Sequence, residues 1–133
     1  MRNLAFLLVG TALLASAPAQ GAARLTPEAK LAKAIEGRVA GEPVDCVNLH
    51  NIRSSRIIDR TAIIYDAGST IYVNRPRNGA SSLDNWDTLV TRTHGSQLCS
   101  IDVVHLYDLQ SDMQTGVVFL GEFVPYKKVK KVD

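Results

Sequence analysis

The chain has little of most things that would announce a function. Two cysteines in 133 residues are too few for a self-contained zinc module or a dense disulfide scaffold, and they do not stand in a CxxC spacing. Aromatic residues make up only 6%. No charge of one sign dominates: fifteen Lys and Arg face thirteen Asp and Glu, a formal +2. That is too small a bias to imply nucleic-acid binding. Nine Gly and five Pro exclude collagen-like and low-complexity character. No Gly-rich phosphate loop, dinucleotide fingerprint, HExxH or Gly-x-Ser-x-Gly occurs, so nothing implies a cofactor, a metal or a nucleophile elbow. Past residue 22 the longest apolar run is Val117-Val118-Phe119-Leu120, far short of a membrane span.

What is present begins at the N-terminus. Arg2 leads into Leu4-Ala5-Phe6-Leu7-Leu8-Val9 and then Ala12-Leu13-Leu14-Ala15, with no further charge before Arg24. A positive start, an apolar stretch of secretory length and the small residues Ala17-Pro18-Ala19 form a signal-peptide pattern over residues 1–19, with cleavage before Gln20. The remainder is expected to carry no transmembrane span and to be periplasmic or secreted. Residues 20–126 then form a single globular domain with ten Lys and Arg against twelve Asp and Glu. Residues 127–133 form a basic tail carrying Lys127, Lys128, Lys130 and Lys131.

Export changes the meaning of the cysteines. In an oxidising compartment two cysteines in a small domain pair, and Cys46 with Cys99 is the one intramolecular bond available.

Thr26-Pro27-Glu28 is a helix start, with a capping hydroxyl, proline at the first turn and an acidic residue at the positive helix end. The spacing predicts one amphipathic helix over about 27–39, burying Leu31, Ile35 and Val39. Beyond Pro43 the pattern becomes β-branched and alternating. Strands are expected at Val44 to Leu49 and Arg56 to Ile58. A hairpin joins Thr61–Tyr65 to Thr70–Asn74 around Asp66-Ala67-Gly68-Ser69, and a second joins Thr88–Thr93 to Leu98–Tyr107. Leu109 to Thr115 reads as a polar connection, and Gly116 to Val124 as a last strand ended by Pro125. Leu83 and Trp86 are expected to fold back on the core. The fold class is α+β: one N-terminal helix plus a mainly antiparallel sheet of five or six short strands, curling into a partial barrel.

The chemistry-bearing residues give two readings. Arginine suits two-pronged capture of carboxylate or phosphate, so Arg53, Arg56, Arg75 and Arg77, with Lys127, Lys128, Lys130 and Lys131, are candidate anion-binding residues. Their partners would be anionic envelope components such as lipid head groups or lipopolysaccharide. Against this, the six arginines between Asp45 and His105 are matched by six aspartates, the balance expected of scattered surface ion pairs. Four close lysines also make a solvated, extended end with no partner. The aromatic residues Tyr65, Tyr72, Trp86 and Tyr107 read as packing residues with polar tips rather than a sugar-binding face. The first functional reading is therefore a non-enzymatic binding or structural module of the envelope. The second is a small hydrolase or metal-dependent enzyme using His50 or His105, with Asp45 or Asp102 as the third member of a metal trio. No residue is singled out as catalytic.

The stretch Cys46, Ile52-Arg53, Arg56-Ile57-Ile58-Asp59, Thr61-Ala62-Ile63, Ile71-Tyr72-Val73-Asn74 and Leu98-Cys99 resembles small exported proteins of Gram-negative bacteria that form families of unknown function. In those, a signal precedes a Cys, an "IR..R.ID..T" segment, a Tyr-bearing hairpin and a second Cys. The resemblance covers about half the chain, excludes the basic end, and implies an envelope or periplasmic location. It implies no activity, cofactor or catalytic residue.

Overall fold

The computed structural model describes residues 23–132; the signal-peptide segment 1–19 and its cleavage point lie outside the described residues. Among the described residues one α-helix, α1 (Pro27–Ala34), is followed by ten strands: β1 (Arg38–Ala40), β2 (Cys46–Asn48), β3 (Ser54–Ile58), β4 (Ala62–Asp66), β5 (Thr70–Asn74), β6 (Thr88–Thr91), β7 (Gln97–Cys99), β8 (Val103–Asp108), β9 (Met113–Phe119) and β10 (Phe123–Lys128). They form a five-stranded sheet in the order β1-β10-β5-β4-β3, a pair β2-β7 and a three-stranded sheet β6-β8-β9. Every pairing between these strands is antiparallel. The large sheet is open, with β1 and β3 as its edges. Among the described residues no helix is long and apolar enough to cross a membrane.

The large sheet is buried on both faces, which is why β4 reads as an unbroken apolar run rather than an alternation. Alternate residues of its strands point opposite ways. Ile58, Ala62, Ile64, Ile71 and Val73 meet Leu31 and Ala34 of α1 and Ile35 just after it, while Ile57, Ile63, Tyr65 and Phe123 join Val47, Leu83, Leu98, Val104, Leu106, Val118 and Leu120 beneath the smaller sheets. The result is a three-layer arrangement: helix, large sheet, small sheets.

The helix starts as the sequence predicts. Thr26 caps it by accepting the Ala29 N–H at 3.2 Å. It stops at Ala34 because Gly37, at φ +73°, turns the chain left-handedly into β1 before the Gly41–Pro43 stop is reached. Val39 therefore sits on an edge strand, 59% exposed, rather than in the core.

Two expected strands are each divided by a turn. Leu98–Tyr107 breaks where the Asp102 carboxylate accepts the Cys99 N–H at 2.7 Å. β6 still pairs with β8, but β7 leaves for β2. The expected strand Gly116–Val124 is divided at Leu120–Glu122, and the polar connection before it shrinks to the turn ahead of Met113.

Pro125 does not end the last strand. Its carbonyl accepts the Gly41 N–H at 2.7 Å, and a strand residue's nitrogen and oxygen face the same neighbour. The missing N–H therefore faces the chain just beyond β1 and costs the β5 pairing nothing. β10 runs on through Lys127 and Lys128, which pair with Val39 and Arg38 of β1. Only Lys130 and Lys131 of the four lysines lie beyond it.

Candidate functional site

Cys46 and Cys99 face each other in register across β2 and β7 and are bonded, with S–S at 2.08 Å. The bond fixes β2, whose last residue, Asn48, caps a single 3-10 turn (Leu49–Asn51) by accepting the His50 N–H at 3.0 Å. Leu49 N–H donates to Ser96 O at 2.8 Å, so the turn is held from both sides. The chain then reaches Arg53, whose N–H donates to Asp66 O at 2.7 Å. This seats the residues after β2 against the tip of the β4–β5 hairpin.

The tip is itself closed by its sequence. Asp66 Oδ1 accepts the Gly68 N–H at 2.7 Å, an Asx turn, and Gly68 takes φ +87°. The Arg53 guanidinium lies over Gly68, where an added Cβ would stand 3.0 Å from its central carbon. Glycine here admits both the backbone turn and the guanidinium.

His50, Asn51, Arg53, Ala67, Thr70 and Tyr72 line an open cavity of about 390 Å³ at this tip. The register adds another cation. Lys127 lies directly opposite Thr70, and directly opposed residues of an antiparallel pair project to one face about 5 Å apart. Lys127 therefore shares the face of Thr70 and Tyr72. It lines an adjoining cavity with Tyr72, whose one carboxylate is Glu42. The lining of the 390 Å³ cavity is thus a guanidinium, an imidazole, an amide and two hydroxyls, with a lysine ammonium beside them and no carboxylate. Such a set donates to a small anionic group.

The other predicted anion residues are elsewhere. Arg56 projects to the opposite face of the large sheet and lines a groove of about 610 Å³ with Lys30, Lys33 and Asp59. Arg75 makes a two-pronged pair with Glu28 at 2.9 and 3.0 Å. This holds the Glu28 carboxyl below the usual carboxylate range and leaves both guanidinium prongs occupied. Arg77 Nε donates to Leu120 O at 2.8 Å. Lys128 lies opposite Arg38 on the helix side of the sheet. Arg53 and Lys127 are the predicted cations that the fold brings to one face with a histidine.

The two histidines of the enzymatic reading are apart in role. His50 Nδ1 is 3.2 Å from Asn48 Oδ1, an amide rather than a carboxylate. His105 sits on β8 between Val90 and Val117 of the flanking strands, and its buried Nδ1 has no hydrogen-bond partner among the described residues. Asp45 and Asp102 are used at the disulfide corner, bonding Ser100 and the Cys99 N–H. Among the described residues no three His, Cys, Asp or Glu side chains gather as a metal site.

Asn51, Thr70 and Tyr72 are wall residues that the sequence did not assign to a site, because they meet only where the segment after β2, carrying the 3-10 turn, is seated against the β4–β5 hairpin tip. Trp86 also departs from expectation. Leu83 is buried, but Trp86 is 84% exposed. No family model matches the chain, and no curated protein or solved structure matches it either.

Proposed function

We propose that this chain is an exported, non-enzymatic binding module of the bacterial envelope that holds an anionic group at the tip of the β4–β5 hairpin. One observation carries the reading. Arg53 and His50, from the segment after β2, and Thr70 and Tyr72, from β5, line one open cavity without a carboxylate, and β10 brings Lys127 to the same face. Arginine grips phosphate and carboxylate with two parallel donors, and hydroxyls complete the shell. The periplasmic or secreted location rests on the N-terminal signal pattern and on the resemblance to small exported Gram-negative proteins. The bonded cysteines suit an oxidising compartment.

The ligand chemistry is a phosphate monoester or diester, free or as a lipid head group or lipopolysaccharide phosphate. Titration of the full chain with inorganic phosphate, and co-sedimentation with phosphatidylglycerol or phosphatidylcholine vesicles, separate these sources. Binding to phosphatidylglycerol vesicles alone marks a lipid surface, and binding to both probes marks the phosphate group itself. Arg53→Ala should weaken either binding at least tenfold, whereas Arg56→Ala on the opposite face should leave it unchanged. Equal losses in the two variants, or no binding to any probe, would overturn the proposal. Lys130→Gln with Lys131→Gln tests the lysines beyond β10 without truncating the strand.

A further inference from the structure

Trp86 is the chain's single tryptophan, and it stands in solvent on a loop that is tied down. Buried Leu83 anchors the loop, and its carbonyl accepts the Arg60 N–H at 3.0 Å. The Asn85 N–H donates to Asp59 Oδ1 at 2.7 Å, and the Trp86 N–H to Asp84 Oδ1 at 2.9 Å. The Asp87 N–H returns to the Asp84 carbonyl at 3.1 Å. Four successive backbone ties hold the indole outward. An indole carries one of the largest apolar surfaces of any side chain, with a flat π-face, and leaving it in water is unfavourable unless something covers it.

Beside it lies a cleft of about 840 Å³, lined by the indole, the carboxylates of Asp84, Asp87 and Asp108, the Gln110 amide and the hydroxyls of Ser82 and Thr115. This is within the size of small-molecule sites. A register shift where β8 meets β9, from Leu106 opposite Gly116 to Tyr107 opposite Gln114, leaves Thr115 of its lining as the extra residue. Gly116 also contributes, since a Cβ there would meet the Ser82 Cβ at 2.6 Å. The three carboxylates do not converge as a metal site. Each instead accepts from the chain: Asp84 from Trp86 N–H, Asp87 from the Thr115 hydroxyl, and Asp108 from Gln110 N–H and from Ser111. A carboxylate offers about four acceptor positions, so these bonds leave capacity for a ligand donor.

We infer that this cleft is a saccharide-binding site, distinct from the hairpin tip, with which it shares no lining residue. A pyranose has an apolar C–H face that stacks on the indole and a rim of hydroxyls that both donate and accept. Separated carboxylate oxygens, an amide and two hydroxyls answer that rim. A lining with no lysine or arginine excludes an anionic ligand, and dispersed carboxylates suit separated hydroxyls better than one point charge.

The single tryptophan makes the site self-reporting. The full chain is titrated with neutral oligosaccharides of glucose, galactose, mannose and N-acetylglucosamine, with tetramethylammonium as the cationic alternative. A saccharide should shift the indole emission saturably to shorter wavelength. By calorimetry Trp86→Ala should bind it at least tenfold more weakly with an unchanged melting temperature. Phosphate in excess should not displace it, because the hairpin tip is a separate site. No saturable change with any saccharide, tighter binding of tetramethylammonium, or undiminished binding by Trp86→Ala would each overturn the inference.

Discussion

Replacing Asn74 by alanine should destabilise the protein more than its polar, strand-terminal position suggests. Asn74 is fully buried. Its side-chain amide donates to Gly121 O at 2.7 Å, and its carbonyl oxygen accepts the Gly121 N–H at 3.0 Å. The side chain thus acts as a backbone partner for the turn between β9 and β10, bracing the three-stranded sheet against the large one. Gly121 is buried, and a Cβ on it would meet the Arg75 carbonyl at 2.3 Å, so the turn has no room to move toward another partner. Alanine would leave one N–H and one C=O of Gly121 unpaired in the interior, each costing about 1–3 kcal/mol. The sum, about 2–6 kcal/mol, is a large part of the 5–15 kcal/mol typical of a small domain. Urea unfolding should show a lower midpoint at unchanged slope. Asn74→Asp is a second probe. Its carboxylate would still accept from Gly121 N–H but would face the Gly121 carbonyl, so burial and repulsion raise the introduced group's pKa. A folded-state pKa above the unfolded value means stability present at low pH and lost as pH rises. The aspartate variant should therefore gain on the alanine variant on acidification. A cost below about 1 kcal/mol for Asn74→Ala would refute the bracing role.

Three further outcomes follow from the same structure. Tyr65 is buried against Phe123, its hydroxyl has no partner among the described residues, and burial pushes its pKa well above 10. Tyr65→Phe should be as stable as the parent or up to about 1 kcal/mol more so. Above pH 10 the parent alone should lose about 1.4 kcal/mol per pH unit through this group, since the unfolded tyrosine ionises first; identical alkaline unfolding of the two would sink the argument. Cys46→Ser with Cys99→Ser reopens a loop of 53 residues and should cost up to roughly 4 kcal/mol in the chain-entropy model, read from urea midpoints; a cost below about 1 kcal/mol would mean the unfolded chain is already constrained. Protein recovered from the periplasm should have an intact mass beginning at Gln20, and retention of residues 1–19 in the membrane fraction would refute export with cleavage.

The sequence by itself determined the features whose signals are local. The capping Thr26 with Pro27 starts a helix wherever it sits, and Asp66 to Ser69 closes its hairpin through an Asx bond and a left-handed glycine. The cysteine pair needed only a count, because two cysteines have one partner each. Tertiary structure decided whatever depends on register and on which neighbour a strand meets. Pro125 looks like a terminator until Gly41 is seen on its nitrogen side. The run Leu98–Tyr107 looks continuous until Asp102 turns it and the disulfide draws β7 to β2. Asn74 carries no pattern that marks it as a brace, since its partner is a backbone 47 residues away. The candidate site divides in the same way. Arg53 and Lys127 were visible as cations, but side chains distant along the chain share a face only when β10 lies beside β5. The same residue types at Arg75 and Arg77 were claimed by a carboxylate and a carbonyl. Trp86 was placed by the backbone bonds of its loop, which outweigh the apolar surface that composition alone would assign to the core.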